Sequence, residues 1–286
     1  MPPTFAVGRY TAAALRSRPR EDAPLESQLL LGEPVEVLER EGDYVRVRLP
    51  EEKQEGYLRY AQLQAVERAT YLSQLTAPTF ALELFQLMVC GDYGLPVTAG
   101  ARLPLFDGLQ ARHDGRRFTY SGQIIDPAGV ATDAGLLTRL ALRWLYVPQL
   151  AGGRTPTGVD GLHLIRLLYR LLGHCLPAGI GGMVDGGRPV DFVEQCQEGD
   201  VAFFDGAPGR LNHLGIVLPD SRLLHVAGRV RTDAVDHYGI FDYDRRQYTH
   251  RLRVVRRYLP DEPAARVALV PDRSAIRPDA KQMLFF

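Results

Sequence analysis

The sequence predicts an α+β protein, with small antiparallel β units in its N-terminal part and a helix-then-sheet region in its C-terminal part. Two patterns indicate this class. Residues 33–60 alternate apolar and polar side chains, as strands do. From about residue 131, two apolar helical stretches come first and short strands follow, an order typical of α+β domains. The length of 286 residues and the hydrophobic content of 45% fit a soluble globular protein of two or three domains.

The first β unit is predicted over residues 1–66. The segments PVEVLER and DYVRVRL each alternate apolar and polar residues, and Glu41-Gly42-Asp43 between them has turn chemistry. GYLRYAQL adds another short strand. This pattern resembles a bacterial SH3-type (SH3b) barrel over roughly residues 5–66. The resemblance implies a targeting or docking module.

Residues 67–130 combine a helical part and a strand-like part. Residues 68–91 predict a linker helix interrupted near Pro78, because apolar residues at partly helical spacing follow that proline. Residues 95–127 return to strand-and-turn composition. A second, diverged SH3-type unit is one interpretation of this segment, so the chain is expected to hold one or two such barrels.

A further domain is predicted over residues 131–260, and it begins with a helix. The segment LLTRLALRWLY carries apolar residues at helical spacing after Thr132-Asp133 and before Pro148. The first two residues have the composition of a helix start, and the proline marks its end.

The second helix of this domain is predicted over residues 161–172. Asp160 is its expected N-cap, because a carboxylate there accepts backbone N–H bonds and complements the positive end of the helix dipole. Apolar residues cover most of the helix and leave Arg166 and Arg170 as its polar stripe. The helix is therefore predicted to be buried.

A Gly-rich loop, AGIGGMVDGG, is predicted after this helix. Strands are then predicted at residues 201–204, 213–218, 223–226 and 252–258. The tail over residues 261–286 is rich in Pro, Asp and Arg and is expected to pack on the surface or to be loosely ordered.

Four segments of the C-terminal region resemble the NlpC/p60 family of cysteine peptidases: GGRTPTGVD, LLYRLLGHCLP, EGDVAFFD and NHLGIVLPDSRLLHVAG. In bacteria, members of this family commonly follow SH3b domains and cut cell-wall peptides next to γ-D-glutamyl residues. The resemblance covers about residues 132–260. It implies a papain-like NlpC/p60 domain, with helices packed on an antiparallel sheet, preceded by one or two small SH3-like β-barrels.

The nucleophile of that family is missing from its expected position. Members have Gly-x-Asp-Cys-Ser-Gly at the start of the helix, where a thiolate reacts. When the chain is aligned on its helix exit, Asp160 takes the place of the Asp and Gly161 that of the Cys, followed by Leu162 and His163. An alternative register puts Val159 at the nucleophile. Neither register supplies a thiol or hydroxyl.

The three cysteines do not replace this nucleophile. Cys175 follows Gly161 by fourteen residues, a distance of roughly 20 Å along a helix that rises ~1.5 Å per residue. Cys90 and Cys196 are expected to be packing residues. The odd number of cysteines and their spacing favour buried thiols over a disulfide framework or a metal site.

The resemblance also implies that substrate-holding residues have changed. The family usually has a Tyr and a Trp before the Gly-Gly, where this chain has Gln149-Leu150-Ala151. It usually follows the helix with Leu-Pro-Arg-Asp, where this chain has Leu-Pro-Ala178-Gly179. Loss of the nucleophile together with these residues indicates a natural release from peptidase function.

The base side of the site remains. His213 matches the general-base histidine of the family, and His225 matches the residue that orients it. Both are expected to lie side by side on neighbouring strands as vestigial catalytic residues. The former cleft is assigned to four binding residues: Gln149, Asp160, His163 and Gly179.

His163 introduces a second hypothesis. With Asp160, His213 and His225 it would form a cluster able to ligate zinc. The backbone N–H groups at the helix start would instead suit an anion. A packed or solvent-reaching histidine is the simpler interpretation, so no metal and no cofactor are predicted. The remaining histidines are expected to be surface or structural residues without convergent partners: His113, His174, His237 and His250.

Composition excludes several classes of partner. Lys+Arg and Asp+Glu number 34 each, and no basic block interleaved with aromatics occurs, so nucleic acid is not predicted as a partner. No apolar run is long enough to span a membrane. No signal peptide is readable, which makes the cytoplasm the default location and the cell envelope the alternative if a leader has been removed. The expected partner is a cell-wall peptide or a protein, and the sequence leaves the oligomeric state open.

The leading hypothesis is a catalytically inactive homologue of γ-D-glutamyl cysteine peptidases that binds a peptide, a muropeptide or a protein. The alternative is an active hydrolase that uses a displaced nucleophile or a metal-bound water at His163 and His213. A third hypothesis is an assembly module whose cleft is filled by Leu162 or Met183.

Overall fold

The computed structural model describes residues 4–130, 133–191, 195–207 and 209–260. The predicted tail at 261–286 and Thr132 lie outside the described residues. Among those that are described, no helix is both long and apolar enough to cross a bilayer.

The N-terminal unit is an antiparallel sheet with its own apolar core. Its strands, over residues 4–66, are β1 Phe5–Gly8, β2 Ala12–Arg16, β3 Leu25–Leu30, β4 Pro34–Glu41, β5 Tyr44–Leu49, β6 Gln54–Arg59 and β7 Leu63–Ala65. They pair in the order β3-β2-β6-β5-β4-β1-β7. The predicted hairpin is confirmed, because β4 pairs with β5 across a turn in which Gly42 has a φ of 62°. Alternate residues such as Val35, Val45 and Val47 fill the core.

The next unit differs from its prediction. Helix α1 covers Arg68–Thr76, but the predicted continuation to residue 91 is wrong. The residues there alternate between two faces, as in a strand. Phe85, Leu87 and Val89 are exposed on one face, and Met88 is buried on the other. The strands of this unit are β8 Phe80–Ala81, β9 Phe85–Cys90, β10 Tyr93–Thr98, β11 Gln110–His113, β12 Arg116–Tyr120 and β13 Ile124–Ile125. Strands β10-β9-β12-β11 form one antiparallel sheet, and β13 pairs with β8. Its likeness to an SH3 unit stays a prediction.

Helices form one layer of the C-terminal region. Helix α2, Ala134–Leu142, begins at the predicted Asp133 cap, whose carboxylate accepts from Leu136 N at 2.5 Å. It ends well before Pro148 and is therefore shorter than predicted. Helix α3 is Gly161–Leu171, and its predicted burial is confirmed.

The predicted Gly-rich loop is wrong, because residues Gly179–Asp185 form helix α4. Met183 is fully buried in the main core, and Ile180 and Val184 pack against that core. Tertiary packing of these apolar residues overrides the low helix propensity of the glycines.

The second layer is an antiparallel sheet that closes on itself. Short hairpin strands β14 Arg154–Thr155 and β15 Gly158–Val159 precede α3, and the sheet strands are β16 Arg188–Val190, β17 Val201–Ala207, β18 Arg210–Leu218, β19 Arg222–Ala227, β20 Arg229–Val235, β21 Gly239–Asp242 and β22 Gln247–Arg257. They pair in the order β16-β22-β17-β18-β19-β20-β21, and β21 also pairs with β22. Strands β17 to β22 thus form a barrel. The four predicted strands are confirmed, whereas β16, β20 and β21 were not predicted.

The two faces of the barrel wall contact different cores. Leu214, Ile216 and Val226 face outward and pack with the helices. Phe204 and Leu223 face inward and fill the barrel. Because successive residues of a strand point to opposite faces, each wall strand carries both sets.

A buried ion cluster joins the N-terminal unit to α3. Glu33 forms ion pairs with Arg154 Nη2 at 2.6 Å and with Arg170 Nη1 at 2.9 Å. Glu52 forms ion pairs with Arg166 Nη1 at 2.8 Å and with Arg170 Nη2 at 2.7 Å. All five side chains are at most 6% exposed. The polar stripe expected on α3 is therefore buried against acidic groups from the other unit.

Electrostatics inside this cluster favour the charged forms of its two carboxyl groups. Burial opposes ionisation of Glu52, but the guanidinium groups of Arg154, Arg170 and Arg166 hold the pKa of this carboxyl well below its usual range. The pKa of Glu33 is likewise lowered, against its burial, by Arg154 and Arg170. Each charge in the cluster thus depends on its partners.

We expect Glu52→Gln to destabilise the protein by about 3 kcal/mol, because it leaves buried guanidinium charge without compensation. Urea denaturation measures this loss as a lower midpoint. The matched control is Glu55→Gln, which breaks exposed pairs with Arg46 and Arg48 and should leave the midpoint unchanged. Equal midpoints for the two variants would contradict a stabilising role for the cluster.

Candidate active site

The start of α3 is built as the sequence predicted. Asp160 has extended backbone angles, φ −92° and ψ 142°, and its Oδ1 accepts from Leu162 N at 2.9 Å. Its backbone N–H donates to Gly153 O at 2.9 Å, which fixes the preceding hairpin against the helix. The N-cap prediction is confirmed.

Gly161 occupies the first position of α3, and its surroundings do not require a glycine. A Cβ built there would lie 3.6 Å from Val226 Cβ and 4.0 Å from Leu214 Cδ2, which are ordinary van der Waals distances. Its φ lies outside the left-handed region that favours glycine. A larger side chain such as cysteine would therefore fit at this half-buried position.

The cysteines lie elsewhere. Cys175 is exposed beyond the end of α3, so the prediction that it is buried is wrong. Cys90 ends β9 in the second β unit, and both Cys90 and Cys196 are half-buried.

Three side chains form a hydrogen-bonded chain across neighbouring strands. His213 Nε2 lies 2.8 Å from His225 Nδ1, and His225 Nε2 lies 2.8 Å from Asp233 Oδ2. Arg231 Nη2 donates to Asp233 Oδ1 at 2.7 Å. The expected pairing of His213 with His225 on β18 and β19 is confirmed. Asp233, on β20, was missed because that strand was not predicted.

This chain sets the protonation of each ring. The Asp233 carboxylate accepts a hydrogen bond, so His225 Nε2 carries the proton and its Nδ1 is an acceptor. His213 must then donate from Nε2, which leaves the lone pair of His213 on Nδ1. The arrangement orients a neutral histidine base, as the third residue of a catalytic triad does.

The surroundings of His213 keep it uncharged. Burial, together with nearby His225 and His250, lowers the pKa of His213 to about 2, although Asp160 opposes this effect. The ring of His250 stacks on that of His213, with centroids 4.0 Å apart. The prediction that His250 lacks convergent partners is therefore wrong. Pairing of β22 with β17 and β21 brings it to the site from distant sequence.

His163 belongs to a different environment. Its Nδ1 lies 3.6 Å from Asp160 Oδ1, which is longer than a hydrogen bond. It is buried and close enough to Glu52 to help lower the pKa of that carboxyl. Within the described residues, no group of three or more His, Cys, Asp or Glu is placed to hold a metal ion. The alternative zinc site therefore lacks a ligand set there.

An open cavity of about 310 Å³ lies beside the histidines. Gln149, His213 and His225 line it, together with Arg245. Gln149 is anchored there, since its Oε1 accepts from Gly228 N at 2.8 Å. Five expected cleft or plug residues do not line this cavity: Asp160, Leu162, His163, Gly179 and Met183. Gly179 instead begins α4 with a φ of 70°.

Comparisons with known proteins agree with this architecture. The family model for the bacterial dipeptidyl-peptidase SH3 domain matches residues 15–63, and that of the NlpC/P60 family matches residues 147–251. The part of the chain that carries Gly161, His213 and His225 thus matches the NlpC/P60 family. Both resemblances seen in the sequence are thereby confirmed, including the SH3-type unit at the N-terminus.

Relatives extend over most of the chain. It is 27% identical over 263 residues to a γ-D-glutamyl-L-lysine dipeptidyl-peptidase from Bacillus cereus, covering 82% of this chain and 76% of that protein. A crystal structure of an NlpC/P60 family protein from Bacillus cereus is similar with a TM-score of 0.76 at 20% identity, covering 90% of this chain and 100% of that chain. An NlpC/P60 endopeptidase from Photobacterium damselae subsp. piscicida has a TM-score of 0.65 at 12% identity, covering 88% and 70%. These structures share the NlpC/P60 fold with this chain.

The lowered pKa of His213 predicts a pH dependence of stability. The unfolded chain protonates this histidine near pH 6.5, whereas the folded protein keeps it neutral down to about pH 2. The unfolded state thus binds more protons in this range, so the free energy of unfolding falls as the pH drops below about 6.5. This group alone contributes a slope of up to about 1.4 kcal/mol per pH unit.

Urea denaturation from about pH 7.5 to about pH 5 measures this slope. We expect His213→Gln to flatten it. Gln149→Ala alters the same cavity without removing a titrating group and should keep the wild-type slope. Parallel curves for wild type and His213→Gln would show that His213 is not buried in its neutral form.

Proposed function

We propose that this protein binds cell-wall peptides containing a γ-D-glutamyl residue and does not hydrolyse them by thiol chemistry. The observation that carries the proposal is Gly161 at the first position of α3, together with the His213–His225–Asp233 hydrogen-bonded chain on the sheet. The relative from Bacillus cereus, a γ-D-glutamyl-L-lysine dipeptidyl-peptidase, supports this class of ligand.

Absence of a nucleophile at α3 argues against cysteine peptidase activity. The chemistry needs a thiolate at the helix N-terminus next to a histidine base. Gly161 has no side chain, and Cys175 lies beyond the opposite end of the helix. No described cysteine is placed to attack a peptide bound next to His213.

His213 is also a poor base for activating water directly. General bases work best when their pKa lies near the operating pH. Burial and neighbouring imidazoles lower the pKa of His213 to about 2. This weakens the alternative of an active hydrolase with a displaced nucleophile. The version with a metal-bound water also lacks support, because no group of three or more His, Cys, Asp or Glu among the described residues is placed to hold a metal ion.

The cavity retains groups suited to peptide binding. A lone pair on His213 Nδ1 can accept from a peptide N–H or amine. Arg245, which is 70% exposed, stands at the wall and offers a cation. A γ-linked glutamyl residue keeps its α-carboxylate free, so the ligand carries an anion that such a group can hold.

A direct test incubates the purified chain with an L-Ala-γ-D-Glu-L-Lys peptide. We expect saturable binding by calorimetry and no cleavage by chromatography. Arg245→Ala should weaken binding, because it removes a cation from the cavity wall. The matched control is Arg229→Ala, whose guanidinium lies over the exposed ring of Tyr146, outside the residues that line this cavity.

Two results would contradict the proposal. Cleavage of the peptide that disappears in His213→Ala would show that the protein is an active hydrolase. A complete lack of binding would reject the peptide as its ligand.

A further inference from the structure

A second, larger cavity adjoins the His213 cavity. Its volume is about 700 Å³, and Thr249 and His250 form part of its wall and also of the wall of the His213 cavity. The two cavities are therefore neighbours, and one extended ligand could occupy both. The three residues of the hydrogen-bonded chain, His213, His225 and Asp233, do not line the larger cavity.

Exposed aromatic rings form one wall of this cavity, which we call the tyrosine trough. Tyr238 is 61% exposed and Tyr248 is 48% exposed, with ring centroids 5.6 Å apart. The ring of His237 lies 3.9 Å from that of Tyr238. Phe241 supports Tyr248 from 5.3 Å. Such exposed apolar surface at a cavity is a typical sign of a binding site.

One carboxylate bonds to the side chain of Tyr248 and to the backbone of Tyr238. Asp236 Oδ2 accepts from the Tyr248 hydroxyl at 2.5 Å, and its Oδ1 accepts from Tyr238 N at 2.8 Å. The same Oδ1 accepts from Gly239 N at 3.2 Å. The Tyr248 ring, held through its hydroxyl, presents a preorganised face, so binding to it costs little conformational entropy.

Polar groups line the rest of the trough. Asp205 Oδ2 accepts from Arg253 Nε at 2.6 Å, which orients the guanidinium and leaves its terminal nitrogens for a ligand. The Thr249 hydroxyl and Arg251 also line the cavity. The trough thus combines flat apolar ring faces with hydrogen-bonding groups of both kinds.

We propose that the tyrosine trough binds a saccharide, namely an oligosaccharide of N-acetylated amino sugars. A pyranose ring has an apolar C–H face that stacks on a tyrosine and an edge of hydroxyl and amide groups that hydrogen-bond. A nucleobase fits less well, because the rings of Tyr238 and Tyr248 are tilted by 57° and form no parallel slot. The choice of a cell-wall sugar rests on the proposed function, since a cell-wall fragment joins peptide and glycan and could fill both cavities.

The test titrates the full chain with a β-1,4-linked tetramer of N-acetylglucosamine, followed by calorimetry and by NMR of backbone amides. We expect saturable binding with shifts at residues 236–253. Tyr238→Ala and Tyr248→Ala should each weaken it roughly three- to tenfold, the loss expected for one stacked ring. The control is Tyr93→Ala, which removes a ring that is 64% exposed in the second β unit and should change nothing.

Absence of saturable binding, or an equal loss in Tyr93→Ala, would overturn the proposal. A glycan-free γ-D-glutamyl peptide separates this outcome from failure of the proposed function. Peptide binding should survive in Tyr238→Ala. If the tetramer binds and the peptide does not, the saccharide proposal for the trough is supported and the proposed function fails. If only the peptide binds, the trough proposal fails alone.

Discussion

The buried ion cluster is the constraint on which the position of α3 depends. Glu33 and Glu52 come from the N-terminal unit, while Arg154, Arg166 and Arg170 come from the hairpin before α3 and from the helix itself. Charges removed from water are stable only with their partners in place, so the cluster tolerates one relative placement of these elements. That placement directs the start of α3 towards the barrel wall at Leu214 and Val226.

In the proposed function, the site differs from that of a cysteine peptidase in the charge of one ring. A thiolate beside a histidine stabilises the imidazolium form and raises its pKa. No thiol is available at Gly161, so burial and two imidazole neighbours dominate and keep His213 neutral. The Asp233–His225 chain still orients that ring. This neutral ring supports the proposal that the site accepts a hydrogen bond from a ligand and does not break a covalent bond.

Local chemistry explains which features could be predicted from the sequence. The Asp160 cap and the β4–β5 hairpin are set by residues close in sequence, and both are confirmed. The strand at 85–90 was missed because its apolar residues fit both helical and strand periodicity. Helix α4 was missed because its glycines favour a loop, although Met183 among them is buried. The partners of Arg170 and His250 come from elements far along the chain, where periodicity carries no information. The family resemblance, by contrast, predicted that His213 and His225 lie side by side, and their rings are hydrogen-bonded.

The central claim is that the cavity beside His213 receives a peptide although Gly161 supplies no thiol at the start of α3. Alkylation of Gly161→Cys by iodoacetamide, mapped by peptide mass spectrometry, tests it most directly, since a Cβ fits there and the position is half-buried. The exposed Cys175 reports reagent activity in the same sample. We predict that the introduced thiol is alkylated and that a γ-D-glutamyl peptide slows its reaction but not that of Cys175. If the peptide changes the alkylation rate of neither thiol, the claim is contradicted.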